Sequence, residues 1–137
     1  MAYTLTTQVP LSYPDAVEAI RAALAEQGFG VLTEIDIRKT FTGKLGPDAG
    51  DAVGDYVILG ACNPNLASRA LAAEPQMGAL LPCNVVVRRA QGADATTIEA
   101  IDPETMAQLS TSDGVKAVAD DAGTRLRAAL AAVSQNS

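Results

Sequence analysis

A short turn, Gln91-Gly92-Ala93-Asp94, separates two runs of β-forming residues at positions 85–90 and 96–101. A connection of this length joins antiparallel strands, because parallel neighbours need a crossover of about a dozen residues or more. The sequence therefore predicts a β-hairpin here, and with it a sheet that is at least partly antiparallel.

Three further runs of β-forming residues predict strands at positions 3–9, 29–40 and 56–61. In the second of these runs, alternation predicts one shared face for Val31, Thr33, Ile35 and Ile37. The opposite face is more polar, which is typical of a sheet with one face on a core and one wetter face.

Capping residues mark the helices. Ser12, with Asp15 three residues later, predicts a helix over 13–27, and Asn63-Pro64 opens a helix of about ten residues. Asp102-Pro103 predicts a short helix over 103–109 in the same way, and apolar spacing predicts a long one at 115–133. The order of elements predicts an α+β domain: a mainly antiparallel sheet with helices packed on one face.

Residues 43–54 are rich in Gly, Pro and Asp. That composition predicts a loop, and we expect this flexible Gly-rich segment to be the most mobile part of the chain. The chain has 137 residues and shows neither a repeat of domain length nor a linker. We therefore expect a single domain over 1–137.

The charge balance excludes several classes of function. The chain has 10 Lys plus Arg, 16 Asp plus Glu and no His, which gives a net charge of −6. An acidic chain does not favour nucleic acid or an anionic membrane as a partner. Without His there is no Ser-His-Asp or Cys-His catalysis and no His metal ligand. The sequence shows no signal-peptide pattern and no apolar stretch near ~20 residues, so we expect a soluble, cytoplasmic protein.

The two cysteines occupy similar settings, Cys62-Asn63 at the end of one predicted strand and Cys83-Asn84 at the start of another. If these strands are neighbours, the thiols converge into a redox or metal site, and Cys62 gains reactivity from the helix that follows it. Core packing as small apolar side chains is the alternative, with a structural disulfide as a third. A closed zinc site needs two more ligands than these thiols provide.

Glu34 and Asp36 stand two residues apart on one predicted strand. Paired carboxylates in different environments can divide the acid and base roles of a reaction. The alternative is a face that is either solvated or salt-bridged, with Arg38, Arg88 or Arg89 as the partners.

Several segments together resemble one known family. They are Phe29–Asp36, Lys44-Leu45-Gly46, Tyr56–Pro64, Leu80–Val87 and Ile101-Asp102-Pro103, and the resemblance runs from Tyr3 to about Val133. The family is number 302 among the domains of unknown function. The resemblance implies a strand-helix-four-strand-helix plan, similar to the TATA-binding-protein-like fold, that is commonly dimeric. It implies no activity, and residues 47–55 appear as a longer, more Gly-rich link than is usual in the family.

Three functional hypotheses follow. The first is a non-enzymatic binding module, expected to be a homodimer, that holds a small molecule or a soft metal ion near Cys62 and Cys83. The second is a thiol-based redox enzyme that uses Cys62, and the third is a structural or assembly domain. The candidate site residues are Cys62, Asn63, Cys83, Asn84, Glu34 and Asp36. No catalytic residue or cofactor is assigned, and whether the protein is an enzyme stays open.

Overall fold

Five antiparallel strands form a single sheet in the computed structural model, which describes residues 2–136. The strands are β1 (Thr4–Val9), β2 (Gly30–Asp36), β3 (Asp55–Cys62), β4 (Cys83–Arg89) and β5 (Thr96–Ile101). Their order across the sheet is β1-β5-β4-β3-β2, which leaves β1 and β2 at the edges. The predicted hairpin is confirmed, because β4 and β5 pair directly across the turn at 91–94.

Six helices and one 3₁₀ turn accompany the strands within residues 2–136. The helices are α1 (Tyr13–Glu26), α2 (Ile37–Leu45), α3 (Pro47–Val53), α4 (Pro64–Ala73), α5 (Glu104–Gln108) and α6 (Asp113–Gln135), and the 3₁₀ turn is Pro75–Leu80. The side chains of Ser12, Asn63 and Ser112 cap α1, α4 and α6. None of the helices within residues 2–136 is long and apolar enough to cross a membrane.

One face of the sheet is covered by helices and carries the core. Its buried side chains include Val57, Leu59, Val85, Val87 and Ile98. They pack against α1 and the second half of α6. A second buried cluster joins Cys83 to α4, the 3₁₀ turn, α5 and the first half of α6. The predicted α+β architecture, with helices on one face of an antiparallel sheet, is confirmed.

The second strand ends earlier than its sequence predicts. The prediction placed it at 29–40, but it ends at Asp36 because that carboxylate caps α2 and accepts a 2.9 Å hydrogen bond from the Lys39 backbone N–H. A bulge after Val31 also places Val31 and Thr33 on opposite faces of the sheet. Val31 stands opposite Ala61, whereas Thr33 stands opposite Gly60, which is the neighbour of Ala61 on β3. The predicted shared face of Val31 and Thr33 is therefore wrong.

The predicted loop at 43–54 is also wrong, because the segment forms the end of α2 and all of α3. Gly50 lets the two helices approach closely, as a Cβ there would overlap a side chain of α2. Arg38 joins the segment to the sheet, with ion pairs of 3.0 Å to Asp51 and 2.9 Å to Asp55. Gly50 thus permits close packing between the two short helices.

Candidate ligand cavity

A cavity of about 50 Å³ lies at one end of the sheet, inside the second buried cluster. Strands β3 and β4 contribute one wall, and α4, α5, α6 and the 3₁₀ turn contribute the others. Its lining is Phe29, Ala61, Cys62, Asn63, Leu66, Ala67, Ala70, Met77, Leu81, Pro82, Cys83, Met106, Val115, Val118, Ala119 and Ala122. Nearly all of these side chains are apolar, which makes the cavity a hydrophobic compartment.

Small residues on two facing helices leave the space open. Ala67 and Ala70 on α4 stand three residues apart, as do Ala119 and Ala122 on α6, and all four line the cavity. Positions three apart fall on the same side of a helix. Each helix therefore presents methyl groups at a contact where larger side chains would fill the gap.

Asn63 is the polar side chain of the lining, and its amide is engaged on both sides. Its Oδ1 accepts a 3.3 Å hydrogen bond from the Leu66 backbone N–H at the start of α4. Its Nδ2 donates to the Gln27 carbonyl oxygen at 3.3 Å, and Arg125 donates to the same oxygen at 3.1 Å. Asn63 therefore holds α4 against the end of α1, with both its amide oxygen and its amide nitrogen engaged within the protein.

The predicted convergence of the thiols into one joint site is wrong. Both cysteines are free and line the cavity, but their thiols are not close to each other. Cys83 stands opposite Ala61 in the register, and successive side chains of a strand point to opposite faces. The side chain of Cys62, one residue beyond Ala61, therefore lies on the face of the sheet opposite to that of Cys83.

Cys83 is a buried, neutral thiol. Burial raises its pKa from 9.0 to about 11, and an electrostatic contribution from Cys62 adds to the effect. A thiolate is the form that attacks disulfides and binds metals. Among residues 2–136, no group of three or more His, Cys, Asp or Glu side chains is arranged to hold a metal ion. At neutral pH the cavity wall is thus uncharged at Cys83.

The other candidate residues lie outside the cavity. Asn84 is exposed on the opposite face of the sheet. Glu34 forms an exposed ion pair of 3.0 Å with Arg21, and Asp36 caps α2. Both carboxylates are exposed, which agrees with a solvated face, and the arginine that pairs with Glu34 is Arg21 of α1 rather than Arg38, Arg88 or Arg89. The six candidates therefore do not form one site.

The sequence did not identify two methionines that line the cavity. Met77 lies on the 3₁₀ turn and Met106 on α5, and both are buried. The apolar character of residues 77–81 was the available signal, but only the tertiary structure brings this segment to Cys83. Neither short element has the periodicity that marks a buried face.

The face of the sheet without helices forms a broad groove. It has a volume of about 720 Å³, and Tyr56, Val86 and Ile101 contribute apolar surface to it. Arg88 and Glu99 form a 2.6 Å ion pair in the same groove. The paired charges cancel, so this face combines apolar surface with little net charge.

Comparison with known proteins identifies relatives whose activity is not described. The family model "Domain of unknown function DUF302" matches residues 5–133. The crystal structure of an uncharacterized conserved protein DUF302 from Bacillus stearothermophilus is similar, with 29% sequence identity and a TM-score of 0.85. The similarity covers 96% of this chain and 98% of that one. A search of curated proteins finds no match.

Proposed function

Since the chain belongs to the family DUF302, a domain of unknown function, we propose from the geometry of its cavity that it is a non-enzymatic module that binds a small apolar molecule. The observation that carries the proposal is the lining of the cavity between the sheet and α4, α5 and α6. Apolar surface that a ligand removes from water contributes roughly 25 cal/mol per Å² to binding.

The polar groups around the cavity support an apolar ligand. Asn63 uses its amide within the protein, and none of the buried side-chain nitrogen and oxygen atoms of residues 2–136 lacks a hydrogen-bond partner. A polar or charged ligand would lose its hydration and meet a lining that is almost entirely apolar. A soft metal ion would need a deprotonated Cys83, which the raised pKa of that thiol opposes.

Xenon is the probe that tests the proposal, because it enters small apolar cavities without hydrogen bonding. Under xenon pressure, we expect methyl NMR shifts at Leu66, Val115 and Val118, with little change at methyl groups distant from the cavity. Ala122→Val adds two methyl groups to the cavity wall and should abolish the response. The control is Ala128→Val, an exposed position on the same helix.

Two outcomes would contradict the binding proposal. Wild-type protein whose methyl shifts do not respond to xenon would favour the structural or assembly domain. Alkylation of Cys62 that is rapid below pH ~7, well under the ordinary thiol pKa, would instead favour the redox enzyme. The binding proposal expects Cys62 to react no faster than an unfolded peptide does.

We also propose that the protein is a cytoplasmic homodimer. Free thiols at Cys62 and Cys83 suit a reducing compartment. The groove across the sheet, with Tyr56, Val86 and Ile101, offers apolar surface to a second copy. A second copy also carries the Arg88–Glu99 pair, so opposite charges are available across a two-fold axis.

A further inference from the structure

The two methionines that the structure describes, Met77 and Met106, line the cavity together with the buried Cys83. We propose that the cavity selects a small aromatic ring over an aliphatic molecule of similar size. This selectivity rests on the proposed function, since it specifies the class of apolar ligand.

The sulfur atoms favour an aromatic ligand because thioethers make favourable contacts with ring edges. Phe29 lines the same cavity and offers a ring for edge-to-face packing. An aliphatic ligand also buries apolar surface but makes neither of these contacts. Because an aromatic and an aliphatic ring also differ in volume and hydrophobicity, the sulfur contacts are measured by how the preference changes when the thioethers are removed.

The two methionines also explain how a ring fits. The empty space is about 50 Å³, which is smaller than a benzene ring requires. Met77 lies on the 3₁₀ turn and Met106 on the short helix α5. A methionine side chain has three rotatable bonds and adapts to irregular spaces. Entry of a ring therefore requires Met77 and Met106 to rotate and enlarge the cavity.

The test compares benzene with cyclohexane on the full chain, by NMR titration of the methyl signals. The double variant Met77→Leu/Met106→Leu removes both thioethers and nearly conserves side-chain volume. We expect the preference for benzene over cyclohexane to fall by about two- to ten-fold, the range that sulfur–aromatic contacts support. The two single variants serve if the double variant does not fold, and each should reduce the preference in part.

The matched control adds a sulfur atom to the same wall. Leu66→Met places a thioether where the wild-type lining is aliphatic, so it should raise the preference for benzene. The selectivity is overturned if wild type binds both ligands equally, or if the preference for benzene survives both methionine substitutions. Xenon binding would in that case still support the site. If neither ligand nor xenon enters wild type, both proposals are overturned.

Discussion

Burial of the Cys83 thiol makes stability depend on pH at the scale of one residue. In the unfolded chain the thiol ionises from about pH 9, whereas in the folded protein its raised pKa of about 11 keeps it protonated. The folded state then binds more protons, so the free energy of unfolding is unaffected below pH 9 and falls as pH rises toward 11. The loss attributable to Cys83 is about 3 kcal/mol at most.

Urea unfolding followed by circular dichroism at pH 8, 9.5 and 10.5 measures this loss. Cys83→Ala should flatten the pH dependence relative to wild type, even though the substitution lowers stability at every pH. Tyr13, whose pKa burial raises to about 12, ionises in the same range but is present in both proteins. Parallel pH curves for wild type and Cys83→Ala would show that the thiol does not carry the effect.

Asn63 gives a second prediction at this scale, since it combines a helix cap with a contact to the end of α1. Asn63→Ala removes both hydrogen bonds of the amide, and we expect the free energy of unfolding to fall by about 1–2 kcal/mol. Asn65→Ala, an exposed change in the first turn of the same helix, is the control. Equal unfolding midpoints of the two variants in urea would contradict the structural role of Asn63.

At the scale of secondary structure, local signals decided which elements were predictable. Caps at Ser12 and Asn63 identified α1 and α4, and the turn at 91–94 identified the hairpin, because these signals lie within a few residues of the element. The segment 37–53 carries a cap at Asp36 and a Pro at the start of α3, but its Gly-rich composition favoured a loop. Its helices are held by close packing at Gly50 and by ion pairs of Arg38, which the composition does not show.

The two glycines of this segment should respond oppositely to alanine. A Cβ on Gly43 meets no atom within 4 Å, so Gly43→Ala should stabilise α2 by about 1 kcal/mol through helix propensity alone. A Cβ on Gly50 would overlap Thr42 and lie 3.1 Å from the Arg38 carbonyl oxygen, so Gly50→Ala should destabilise the protein. Thermal unfolding measures both variants, and stabilisation by Gly50→Ala would show that close α2–α3 packing is absent.

At the scale of the whole molecule, the candidate site was only partly predictable. Sequence identified Cys62 and Cys83 near adjacent strand ends, and both line the cavity. It did not identify the methionines or the alanine pairs of α4 and α6, because the cavity is enclosed by six elements that meet only in the folded chain. The thiols failed to converge for a geometric reason, the alternation of side chains along β3.

The proposed dimer is the prediction that belongs to the molecule as a whole. Each copy carries a net charge of −6, so repulsion between copies opposes association, and added salt that screens it should tighten the dimer. Val86→Asp places a carboxylate in the apolar groove, and we expect it to shift the mass in sedimentation velocity from dimer to monomer. Ala117→Asp, an exposed change on α6, adds the same charge on the helical side and should leave the dimer intact. A monomeric wild type at every concentration and salt, or a dimer that survives Val86→Asp, would remove this face from the interface.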